Sequence, residues 1–208
     1  MKKVVKFGGS SLAGVEQFEK VADIIHADCD RRFVVPSAPG KRNDSDSKVT
    51  DLLYQCYAMA EAEEDFETAL SAIRDRYEEI IAGLHLQLSL EDEFQTIAEN
   101  FRQKKGKHYA ASRGEYLNGI LLAAYLGFPF LDAAKIIRFD DEEEFEAEKT
   151  HRLVRALLSS MECAVIPGFY GAKEDGSIVT FSRGGSDITG SIIARGIHAD
   201  VYENWTHV

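Results

Sequence analysis

Short apolar runs closed by glycine or proline alternate along this chain with longer segments whose apolar residues recur at helical spacing. That alternation restricts the fold more than any other feature. Val4-Val5-Lys6-Phe7 stops at Gly8-Gly9, and Phe33-Val34-Val35 stops at Pro36; between them Val15, Phe18, Val21, Ala22 and Ile25 share one helical face. Strand, helix and strand in that order predict an α/β domain. Residues 37–48 are polar and rich in Pro, Gly, Asn, Asp and Ser, and a loop of that length is a lid, a binding loop or a disordered segment.

From Val49 to about Gly127 the pattern is helical. Phe66, Leu70, Ile73, Tyr77, Ile80 and Ile81 make one stripe, Phe94, Ile97, Ala98 and Phe101 a second, and Tyr116, Ile120, Ala123 and Ala124 continue it. Strands are expected again at 128–131, 136–139 and 164–166. A hairpin arm is expected at 176–181, a helix at 187–198, and a further strand from Asp200. At 208 residues the chain holds one or two domains of about 150 residues.

Composition removes several classes. Hydrophobic residues are 45% and charged residues 28%, which excludes a disordered chain, a coiled-coil rod and a collagen-like repeat. The longest apolar stretch, 119–128, is well short of the roughly 18 residues of a membrane span, and the basic N-terminus has no apolar region behind it, so neither a span nor a signal peptide is expected. The net charge of −11 is local: five acids fall in 61–67 and seven in 140–148, both read as solvated surface. No basic stripe appears, so no nucleic-acid partner is expected. Cys29, Cys56 and Cys163 are scattered, as are the histidines; no disulfide framework or metal site follows, and a reducing cytoplasm is the expected setting.

Three polar junctions carry chemistry. In Lys6-Phe7-Gly8-Gly9-Ser10-Ser11 a strand-end lysine precedes two glycines, two hydroxyls and a helix, which suits a phosphate: backbone N–H groups approach closely and the ammonium supplies full charge. It is neither a Walker A loop nor GxGxxG, and a tight turn with an incidental lysine accounts for it equally well. In Ser182-Arg183-Gly184-Gly185-Ser186-Asp187 the arginine can fork onto a carboxylate, while Ser186 or Asp187 would also serve as a helix N-cap. In Ser112-Arg113-Gly114-Glu115 the spacing fits a capping box, and the other reading is a carboxylate at a helix mouth that pairs with a substrate ammonium.

Together these junctions resemble the N-terminal part of the catalytic domain of the aspartate kinases, in the amino acid kinase family. KFGGSS, SAPG followed by Lys48-Val49-Thr50-Asp51-Leu52-Leu53, SRGEYLN, Ile166-Pro167-Gly168-Phe169-Tyr170-Gly171 and SRGGSD carry the resemblance over nearly the whole chain. It implies a three-layer αβα sandwich on a mainly parallel sheet, with a helical insertion at about 52–107. It also implies a C-terminally incomplete catalytic domain: the rest of the nucleotide-binding half and the regulatory ACT domains would lie outside these residues.

The implied activity is transfer of the γ-phosphoryl of ATP, with Mg2+, to the β-carboxylate of L-aspartate, the first step of lysine, threonine and methionine biosynthesis, in a homo-oligomer when full-length. By similarity Lys6 would neutralise the transferring phosphoryl group, and Gly8, Gly9 and Ser10 would donate backbone N–H and hydroxyl groups around it. Arg183 would clamp the α-carboxylate and Glu115 take the α-ammonium. Ser37, Thr50, Phe169 and Ser186 would line the amino-acid pocket, Asp187 would orient Lys6, and Thr206 would lie on the nucleotide side. His207 departs from the family, which has an aspartate there. On this reading the chain by itself would bind ATP poorly and turn over negligibly. Glutamate or N-acetylglutamate kinase, or an inactive aspartate-binding fragment, are the alternative readings.

Overall fold

Alternate residues of the first strand face opposite cores. In the computed structural model, which describes residues 1–182 and 184–208, Val4 of β1 (Lys3–Phe7) joins one apolar cluster, and Val5 and Phe7 join the other. The same split recurs in β2 (Arg31–Pro36), where Phe33 and Val35 oppose Val34, and in β3 (Ala164–Val165). Strands buried on both faces suit a parallel sheet. Four strands pair in parallel in the order β3-β2-β1-β6, with β6 (Val201–Trp205) on the far side of β1.

Helices cover both faces. α1 (Val15–His26) and α5 (Lys107–Leu126) pack into one core, and α6 (Ala147–Leu158) and α7 (Gly185–Gly196) into the other. The three-layer α/β expectation is met. α2 (Val49–Glu61), α3 (Glu67–Gly83) and α4 (Glu91–Arg102) extend the first layer, burying the two stripes seen in the sequence. The chain leaves β1 over one face through α1 and reaches β6 over the other through α7. The winding therefore reverses between β1 and β6, and ligands in open α/β sheets bind outside the carboxyl ends of strands at such a point.

Two expected strands shrink to isolated bridges. Segment 128–131 keeps only a Phe130–Val165 bridge, and 136–139 only Arg138–Ala172 and Phe139–Phe145. Pro129 has no N–H to donate, and Asp132 Oδ1 accepts from Ala134 N at 3.0 Å, turning the chain into a short 3-10 turn (Ala133–Lys135) between them. The hairpin arm is present as β5 (Ile178–Thr180), antiparallel to β4 (Tyr170–Ala172), with Gly176 at φ 85° in the turn. β4 and α6 had no counterpart among the expected elements. Among the described residues no helix is long and apolar enough to cross a membrane.

Candidate active site

The carboxyl ends of β1 and β6 open onto a two-lobed cleft. One lobe, about 560 Å³, is lined by Lys6, Glu115, Phe169, Ser186 and Asp187 among others; the second, about 510 Å³, by Gly8, Gly9, Ser10, Lys41, Thr206 and His207. Ser37, Lys48, Thr50 and Glu115 line both and form the shared wall. Every site residue named from the sequence lies on one lobe or the other, except Arg183, which falls outside the described residues.

Lys6 is the next-to-last residue of β1, buried, with Nζ 2.7 Å from Asp187 Oδ1. Asp187 also accepts from Asn204 Nδ2 of β6 at 3.1 Å, so β1, β6 and α7 fix one carboxylate between them. The expected N-cap at Ser186 or Asp187 is not there: Gly184, at φ 76°, caps α7, and both residues sit in its first turn. Asp187 still complements the positive end of the helix.

Glu115 is placed differently from its capping-box reading. α5 begins at Lys107 behind Gly106, which puts Ser112 and Glu115 well inside the helix; Ser112 Oγ donates to Tyr109 O at 2.7 Å. Glu115 is buried, and among the described residues its Oε2 has no hydrogen-bond partner. Burial pushes its carboxyl up to about 8, against the lowering effect of hydrogen bonds from the Ala38 backbone and its own, and of Arg113. An unpartnered buried carboxyl oxygen on a cavity wall is a place for a ligand cation.

In the second lobe the Gly8 N–H donates to Trp205 O at 2.8 Å and is used within the sheet. Gly9 and Ser10 open a 3-10 turn (Gly9–Leu12), whose first N–H groups have no partner within the turn. Ser10 Oγ donates to Thr206 O and lies 3.1 Å from His207 Nδ1. A Cβ on Gly9 would stand 2.8 Å from Ala38 O, which is why glycine is needed there.

The first lobe holds a strained residue. Phe169 has φ 83°, a region that costs a side-chain-bearing residue about 1–3 kcal/mol. Its N–H donates to Thr189 Oγ1 at 3.0 Å and its carbonyl accepts from Phe181 N at 2.8 Å, which hold it in place. Lys48, Tyr54 and Lys41 line the cleft but had no role in the sequence reading. Lys48 sits within a quoted motif, yet only its position ahead of α2 shows that it reaches both lobes. Among the described residues no cluster of three or more His, Cys, Asp or Glu could hold a metal ion.

An α/β sheet here sets a lysine and a glycine turn at its switch point, beside a buried carboxyl. Residues 1–208 match the amino acid kinase family, and the chain belongs to it. It is homologous to aspartokinases: it is 37% identical to aspartokinase 3 of Bacillus subtilis over 99% of this chain and 48% of that protein. The aspartate kinase structure from Clostridium acetobutylicum superposes with a TM-score of 0.97 at 47% identity, covering 100% of this chain and 48% of the other. Aspartokinase III of Escherichia coli, solved in complex with aspartate and ADP, superposes at 0.82 with 26% identity, over 100% of this chain and 49% of its own. The chain spans about half the length of the curated relatives it matches.

Proposed function

We propose that these residues are the acceptor side and first phosphate loop of an aspartate kinase, residues 52–107 being a helical insertion in its catalytic domain. The carrying observation is one cavity lined by both the cation Lys6 and Glu115, whose Oε2 has no partner among the described residues, with a glycine turn in the adjoining lobe. The E. coli relative's complex with aspartate and ADP supports two adjoining ligands of these kinds.

In this reading L-aspartate occupies the lobe of Glu115, Phe169 and Ser186, and MgATP, as co-substrate, brings its γ-phosphoryl to Gly9 and Ser10. A β-carboxylate oxygen forms the new bond to phosphorus while the bond from phosphorus to the β,γ-bridging oxygen breaks, giving 4-phospho-L-aspartate and ADP. A carboxylate is already a nucleophile, so no base is needed. Catalysis is positioning and charge stabilisation. Lys6 offsets charge on the phosphoryl group, and Asp187 aims the ammonium. Glu115 takes the α-ammonium, Arg183 takes the α-carboxylate, and Ser37 and Thr50 complete the wall.

Steady-state kinetics of the full-length protein test these roles. Lys6→Met should lower kcat by about 100-fold or more with little change in the KM for aspartate, because its charge matters most as phosphoryl charge shifts. Arg183→Ala should chiefly raise that KM. A Lys6→Met enzyme with normal kcat and a raised aspartate KM would overturn the assignment of the phosphate loop.

A further inference from the structure

Arg76 of α3 lines neither lobe, yet it is a charged side chain only 4% exposed. Its Nη1 donates to Ser47 O at 2.7 Å and its Nη2 to Gly40 O; Asp46 Oδ2 lies 3.3 Å from that Nη2. A buried guanidinium is costly unless its charge and donors find partners. Here Nη1 and Nη2 find theirs in one segment, the loop 37–48, while the buried Nε has no partner among the described residues. Asp46 is held in turn by Arg42 Nε at 2.9 Å, and Arg42 Nη1 reaches Glu79 of α3 at 3.1 Å. The loop is thus fastened to α3.

The glycine turn leans on that same loop. Gly40 N donates to Gly9 O at 2.8 Å, and a Cβ on Gly40 would stand 2.6 Å from the Gly9 carbonyl carbon. Backbones this close have no slack, so a shift of Gly40 carries Gly9 and Ser10 with it. The acceptor side of the loop has a separate anchor, because Asn118 Nδ2 donates to Ser37 O at 2.7 Å.

We propose that Arg76 is a positioning residue: it clamps Gly40 and Ser47 from α3 and thereby holds the glycine turn in register for a phosphate. The functional part of this rests on the reading of that lobe as the phosphate site. A planar fork can span two carbonyls, whereas a lysine ammonium is a point charge, so the guanidinium is the requirement.

Arg76→Met and Arg76→Lys in the full-length protein test it by amide exchange and by kinetics with MgATP and L-aspartate. The clamp requires faster exchange at Gly40 in Arg76→Met, with exchange in β1 unchanged. It also requires a KM for MgATP raised about tenfold with the aspartate KM held within about twofold, and intermediate values in Arg76→Lys. Unchanged exchange at Gly40 would overturn the proposal. Faster exchange spread through β1 and α5, with kcat and both KM values disturbed together, would also overturn it, since that marks a merely structural residue. If the parent protein phosphorylates no aspartate, the kinase reading fails, and exchange at Gly40 still decides the clamp by itself.

Discussion

Glu115 is the residue whose chemistry most exceeds what packing asks of it. With its carboxyl pushed up to about 8, it is largely protonated at neutral pH in the free cleft. The folded chain keeps a proton there that the unfolded chain releases near the ordinary value of 4.5. Stability from this residue is therefore undiminished below pH 4.5 and declines as pH rises from there to about 8. Glu115→Gln should flatten that decline, making the variant relatively more stable at pH 8 than at pH 5 in thermal melts. The same proton predicts a binding signature. An ammonium pairs with the ionised carboxylate, so L-aspartate binding at pH 7 should release part of a proton, seen calorimetrically as an enthalpy that varies with buffer ionisation. Binding with no proton release would place the ammonium elsewhere.

At the scale of elements, α5 and the loop 37–48 meet with nothing to spare. A Cβ on Gly114 would stand 2.7 Å from the Ala38 Cβ, and Tyr77 Oη of α3 donates to Gly114 O at 2.8 Å. Helix propensity favours alanine over glycine by about 1 kcal/mol, but overpacking of this kind costs about 1–3 kcal/mol. Gly114→Ala should therefore be net destabilising in denaturant titration, and weaker in aspartate binding because Ala38 must move.

The elements also show what the sequence could and could not reveal. β1, β2 and α1 were plain because their apolar spacing is dense. α6 was not: only Thr150, Val154 and Leu158 are buried, a narrow stripe beside an acidic run. The segment 128–131 looked like a strand by composition, but Pro129 cannot sustain a ladder. At the site the glycine pairs and strand-end lysine were visible, whereas the capping box at Ser112 misled because a helix start cannot be told from a helix interior by spacing alone. Arg76 was invisible for the opposite reason, being one polar residue beside an apolar stripe whose partners lie in a distant loop.

For the whole molecule, the cleft exists because the sheet is wound in two directions from β1. Lys6 and Gly9 come from the first strand and the turn after it, Glu115 from the middle of the chain, Asp187 from helix α7, and Thr206 from the residue that follows β6. No local segment carries the site, so its parts should fail together if the sheet is disturbed. The acceptor's own chemistry is the most direct test, because the role proposed for Glu115 requires a free ammonium. ADP release by the full-length protein with MgATP should require L-aspartate, be negligible with N-acetyl-L-aspartate, and fall about 100-fold or more in Lys6→Met. Equal turnover with N-acetyl-L-aspartate, or normal turnover in Lys6→Met, would contradict it.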